Sequence, residues 1–141
     1  MSFFSFIFEP ASPTIINYVV CGMRIAIGLL TIGHGMPKII GGPDLWHTLG
    51  VMTRGVGITF WPTLWGFLGA CTEFFGGIAL VLGLGTRIVT LALMIMMFIA
   101  FKMHYDKGDS FNVYSLALTC LVVYTAYFFM GGGLLSLDSY L

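Results

Sequence analysis

PTLWGFLGACTEFFGGIALVLGLGTR, residues 62–87, decides what kind of chain this is. About twenty apolar residues cross the hydrocarbon core of a bilayer. Residues 62–84 supply that length with one charge, Glu73, near the middle. Gly83-Leu84-Gly85-Thr86 then reads as a tight turn, because glycine takes up backbone conformations closed to other residues. A second apolar run starts at once, so the chain crosses and turns straight back.

Outward from this hairpin, two more runs qualify, giving spans at about 14–35, 62–84, 87–104 and 112–131. A loop of about 25 residues follows the first span, and the polar stretch YDKGDSFN separates the last two. Of the 141 residues, 58% are hydrophobic and 9% charged, whereas a soluble domain carries about 25% charged residues. The reading is an all-α, transmembrane four-helix bundle forming one domain over 1–141, with lipid as its solvent. A formal net charge of zero gives no basis for nucleic-acid binding.

The N-terminal MSFFSFIFEPASP has no Lys or Arg, so it lacks the basic region of a signal peptide. Phe3, Phe4, Phe6 and Phe8 are expected at headgroup level, and Pro10 and Pro13 to break the chain before the first span. Four spans put both termini on one face and loops one and three on the other. Lys38, Arg54, Lys102 and Lys107 lie on the loop side and Arg87 alone lies opposite. The positive-inside rule then places loops one and three in the cytoplasm. Trp46, Trp61 and Trp65 flank the long loop as interface markers.

Small and polar residues fall into stripes. Asn17, Cys21, Arg24, Gly28, Thr31, Gly35 and Lys38 step by fours and threes along the first span. Gly66, Gly69, Ala70, Glu73, Gly76, Gly77, Leu80, Gly83 and Arg87 do so along the second. Asn112, Ser115, Thr119 and Ala126 repeat the pattern more weakly in the fourth. The third, with TLALMIMMFIAF, is apolar all round and expected to face lipid over much of its surface. Helix packing accounts for the glycines, with small residues four apart at Gly22–Ala26, Gly66–Ala70 and Ala79–Gly83. Packing does not account for Arg24 and Glu73, since a mid-membrane charge costs about 2.5–3.5 kcal/mol on insertion scales.

Each of these two charges lies roughly 15 Å deep at 1.5 Å per residue, so antiparallel neighbours are expected to bring them level as a pair. Such a pair either fixes helix register or forms a polar pocket. In the pocket reading Glu73 exchanges a proton, while Arg24 holds it ionised or binds a carbonyl oxygen. A second cluster gathers at one face, where His34 and Lys38 end the first span and Lys102, His104 and Asp106 end the third. Histidine titrates near neutral pH, which suits proton exchange with water. The candidate catalytic residues are Glu73, His34 and His104, and the candidate ligand-binding residues are Arg24, Lys38 and Glu73. No metal-ligand spacing is recognisable. Cys21, Cys71 and Cys120 lie in apolar runs without a CxxC and read as small buried apolar residues.

RIAIGLLTIGHGMPKIIGG, WGFLGACTEFFGGIALVLGLGTR and a third span ending in MHYDKGD occur here in that order. Together they resemble the DoxX family of small four-helix membrane proteins, from about residue 20 to residue 131. The resemblance implies a bundle in a bacterial or archaeal cytoplasmic membrane, linked to thiosulfate:quinone oxidoreductase or to thiol-redox partners. The matching positions are Arg24, His34, Lys38, Glu73, Gly76, Gly77, Arg87 and His104. The chain has no evident redox centre of its own. The leading expectation is therefore a quinone-binding membrane subunit that works with an electron-supplying protein partner. A non-enzymatic subunit that docks a larger complex through residues 42–58 is the alternative, and a small-solute or proton pathway is the third. Self-association into a homo-oligomer is compatible with each.

Overall fold

The computed structural model describes residues 11–141; the expected headgroup-level phenylalanines lie outside them. Four long helices are each apolar enough to cross a membrane: α1 Pro13–Ile40, α3 Pro62–Leu82, α4 Thr86–Asp106 and α5 Phe111–Met130. A short helix, α2 Gly42–Gly50, and a 3₁₀ turn, Val51–Val56, fill much of the first loop. The chain is a multi-pass membrane protein. Its outer surface is apolar, with Ile88 at 78% and Phe129 at 73% exposed, the arrangement a lipid solvent requires.

Local chemistry sets the helix ends. Ser12 caps α1 by accepting from the Ile15 N–H, and Pro13 occupies its first turn, where a missing N–H costs nothing. Gly83 and Gly85 both have left-handed φ, at 69° and 59°, which makes the α3–α4 turn as tight as the sequence suggests. The first span differs from expectation. Pro37 does not end α1, which runs on to Ile40 and is about 42 Å long. Its last carbonyls are satisfied from outside the helix: the Trp46 Nε1–H donates to Lys38 O at 2.8 Å, and the Gly41 N–H to Pro37 O.

The helices form a ring in which α1 packs on α3, α3 on α4 and α4 on α5. Two tyrosines close it: Tyr124 pairs with Thr31 at 2.7 Å, and the Tyr127 hydroxyl donates to Val20 O at 2.8 Å. Leu80, Leu93 and Tyr124 form the innermost core, with Ile27, Val89 and Met97 packed around them. The stripes on α1 and α3 are the buried seams, through Arg24, Gly28, Thr31 and Gly35 on one and Gly66 to Leu80 on the other. A Cβ added at Gly22, however, would meet nothing within 4 Å; the close approach in α1 is made by Gly28 and Gly35.

On α5 the expected polar stripe is not the seam. Asn112, Thr119 and Ala126 are exposed, while Ala117, Tyr124 and Tyr127 are buried. The Ser115 and Thr119 hydroxyls donate to their own helix carbonyls, Asn112 O and Ser115 O, so they need no partner across the bundle. α4 matches expectation more closely, with only Thr86, Thr90, Leu93 and Met103 buried.

Candidate functional site

Helix register determines which charges meet. A Cβ on Gly28 would stand 2.9 Å from Gly77 O, and one on Gly35 2.5 Å from Phe74 N. Gly35 is therefore level with Glu73 and Phe74. Arg24 is instead level with Gly83, where an added Cβ would stand 2.7 Å from the guanidinium carbon. Ten residues of α3, about 15 Å of helix, separate Gly83 from Glu73. The expected Arg24–Glu73 pair does not form. A span ending at residue 35 would centre Arg24 in the bilayer, whereas α1 extends to Ile40 and the glycine contacts shift the register.

Lys38 is the partner of Glu73. Its Nζ lies 2.5 Å from Glu73 Oε2, with the carboxylate side chain only 5% exposed and the lysine 31%. One turn of α1 separates Gly35 from Lys38, so the glycine contact that brings the backbones together also sets the ion pair. Burying an unpartnered carboxylate is costly, and the ammonium offsets that cost.

Arg24, 2% exposed, serves the opposite end of the bundle. Its Nη1 donates to Gly132 O and its Nη2 to Leu135 O at 2.8 Å. It thereby ties the segment after α5 across the helix ends. Asp138 in the same segment accepts from the Gly85 N–H at 2.6 Å and the Thr86 N–H at 2.8 Å, capping α4. Partial burial pushes the Asp138 carboxyl up. The Thr86 and Gly85 donors and the Arg24 charge outweigh it and hold the group below its usual range. Arg24 does bind carbonyl oxygens, but they are the chain's own.

The remaining candidates converge. His34 and Lys38 from α1, Glu73 from α3 and His104 from α4 line one cavity of about 310 Å³. Its other walls include Leu30, Met97, Leu116 and, from α5, Cys120 and Tyr124. His34 is exposed along this wall, while the His104 Nδ1 is held by Asp109 Oδ2 at 2.7 Å, which orients the ring. The two histidines share the cavity without a hydrogen bond between them. Among the described residues, no three His, Cys, Asp or Glu side chains gather to hold a metal ion. Cys21, Cys71 and Cys120 are free and half-buried rather than fully buried.

Tyr124, Tyr127 and Asp138 were not singled out by the sequence reading. Their partners are all distant in the chain or across the bundle. Only the three-residue spacing of the tyrosines, which places both on one face of α5, carried a signal.

The family model described as DoxX matches residues 19–106, more than half of the chain. The chain belongs to the DoxX family. The match carries Arg24, His34, Lys38, Glu73, Arg87 and His104, and it ends with α4, so Cys120 and Tyr124 of the cavity wall lie beyond it. No curated protein and no solved structure matches this DoxX chain at a significant level.

Proposed function

We propose that this DoxX protein binds a quinone headgroup in the His34–Lys38–Glu73–His104 cavity and acts with a partner that supplies electrons. The observation that carries the reading is the convergence of four ionisable side chains from three helices in one apolar-walled cavity. Its volume, about 310 Å³, is at the small end of ligand pockets and suits one ring with its prenyl tail left in lipid. A bound quinone supplies two-electron, two-proton chemistry, with both electrons coming from the partner. Lys38 and the histidines present N–H donors to carbonyl oxygens. Glu73 and His104 are placed to deliver protons as the ring is reduced, or to take them up in reverse. Arg24 has no part in the headgroup site, because it does not line that cavity and its Nη1 and Nη2 donate to Gly132 and Leu135.

Native mass spectrometry of the protein released from its own membranes tests this. The expected result is a bound quinone mass that is lost in Lys38→Ala and kept in Arg24→Lys. A folded protein that never carries a quinone, or that carries it equally in Lys38→Ala, overturns the reading.

The docking-subunit alternative draws on a separate feature. Phe60 and Trp61 project at 57% and 69% exposure beside α2. Co-purification of a stoichiometric protein that Trp61→Ala abolishes, without any small ligand, would favour it. The orientation we propose keeps loops one and three in a prokaryotic cytoplasm. Lys38 is committed to Glu73, yet Arg54, Lys102 and Lys107 still outnumber Arg87. A reporter at the C-terminus that is active only in the cytoplasm would reverse this orientation.

A further inference from the structure

The Lys38–Glu73 pair faces two cavities. Lys38, Glu73, Ala100 and His104 line the headgroup cavity and also a second one, of about 240 Å³, beneath α2. Leu49, Met52 and Thr53 roof this inner cavity from the first loop, and Trp65, Ala70 and Met96 wall it. The Trp65 Nε1–H is buried without a protein partner, and a buried donor at a cavity wall is ordinarily satisfied by water. Met52 also lines a third, more open cavity of about 510 Å³, with His47, Gly55, Asp106 and Lys107, at the face that carries loops one and three. Adjacent cavities thus share lining residues from that face to the carboxylate: Met52 between the open and inner ones, and Lys38 and Glu73 between the inner and headgroup ones.

In the other direction the bundle is closed. Leu80 and Leu93 are 0% exposed and Tyr124 is 2%. Gly28 and Gly77 bring α1 and α3 into backbone contact, and Arg24 with the 131–138 segment covers the helix ends.

We infer that Glu73 exchanges protons with water on one membrane face only, through a water-filled route past Met52 and beneath α2. The groups that face the carboxylate fit this role. Lys38 and His34 come from α1, His104 from α4, and Cys120 and Tyr124 from α5, with His47, Asp106 and Lys107 at the outer mouth. Proton transfer between water, His104 and the carboxylate needs no other reactant. If the proposed quinone chemistry holds, its protons are drawn from or released to the face of loops one and three. The geometry makes the route a dead end, which also argues against the through-pathway expectation.

The inference rests on the proposed function only for the use made of the proton, and its test contains no quinone. With Cys21, Cys71 and Cys120 replaced by Ala, single cysteines are placed at Leu49, Ala70, Ala100 and Leu80. A charged, membrane-impermeant thiosulfonate is then applied to each face of oriented vesicles. The expected result is modification of Leu49→Cys, Ala70→Cys and Ala100→Cys from the loop face alone, with Leu80→Cys inert from both. Modification of Ala70→Cys or Ala100→Cys from the opposite face, or of Leu49→Cys alone, overturns it. Hydroxyl-radical footprinting of the unmodified protein provides a second readout that needs no variant to fold. Labelling of Met52, Trp65 and Met96 above Leu93 is expected, and Met52 labelled with Trp65 and Met96 silent refutes the route. Loss of the quinone mass with these patterns intact would sink the ligand reading and leave the access route standing.

Discussion

Gly35→Ala is the substitution that probes the site's foundation. An added Cβ would stand 2.5 Å from Phe74 N, 2.8 Å from Phe74 Cα and 2.9 Å from the Glu73 carbonyl carbon. All three are backbone atoms, so no side chain can swing away. Ordinary contact begins at 3.4 Å, so the two helices must part by about 0.9 Å at this level. The Lys38–Glu73 contact lies one turn away at 2.5 Å, and the same movement stretches it to about 3.4 Å, where its hydrogen bond is weak. Overpacking of this kind costs about 1–3 kcal/mol, and rigid backbone neighbours place Gly35→Ala at the upper end. Better helix propensity returns about 1 kcal/mol, for a net loss of about 2 kcal/mol. Gly33, on the same helix, has nothing within 4 Å of an added Cβ, so Gly33→Ala gains up to about 1 kcal/mol. The two variants should differ by about 3 kcal/mol, or roughly a hundredfold in the unfolding equilibrium. Reversible unfolding in mixed micelles, followed by tryptophan fluorescence, measures this. Equal stability of the two variants would refute the register argument and, with it, the origin of the Lys38–Glu73 pair.

Three further outcomes are expected. Lys38→Met leaves a buried carboxylate without its cation and should cost about 3–5 kcal/mol, most of it recovered in the Lys38→Met/Glu73→Gln double variant; the same micelle assay, run as a cycle, reads the coupling. Asp138→Asn should weaken the α4 cap by about 1 kcal/mol. Because the folded Asp138 carboxyl is held below its usual range, its contribution is present at neutral pH and lost as the pH falls through that depressed value. Hydrogen exchange of residues 131–141 should therefore rise in acid, and Asp138→Asn should remove that dependence. Arg24→Lys, whose single ammonium cannot span two carbonyls as a guanidinium does, should speed exchange at residues 132–136 while leaving the cavity's ligand in place. Loss of the ligand in this variant would return Arg24 to the headgroup site.

The spans were legible because hydropathy over twenty residues needs no tertiary knowledge. So were the seams of α1 and α3, since only small residues permit close approach without lipid between helices. Register was not. It depends on Gly28 meeting Gly77 and Gly35 meeting Phe74, and nothing local to either helix states which glycines pair. The same limit hid Lys38 as the partner of Glu73, compounded by ending the first span at residue 35. A proline is tolerated within a membrane helix, and the last carbonyls of α1, at Pro37 and Lys38, take their donors from Gly41 and Trp46. α2 was missed although Pro43 and Asp44 form a helix-start signal, because nine residues give too little periodicity to read. The polar face of α5 misled for a chemical reason: hydroxyls that bond their own helix carry no information about neighbours.

The Arg24 anchorage has a consequence in time as well as in space. Its two carbonyl partners lie 108 and 111 positions downstream. At about 5–20 residues per second, a growing chain places them roughly 5–20 s after Arg24 itself has been made. During that interval the guanidinium is without both carbonyls and is expected to stay at the water boundary or against lipid headgroups. Insertion of the first helix and its final seating are thus separate events, and the second waits for the last stretch of the message to be read.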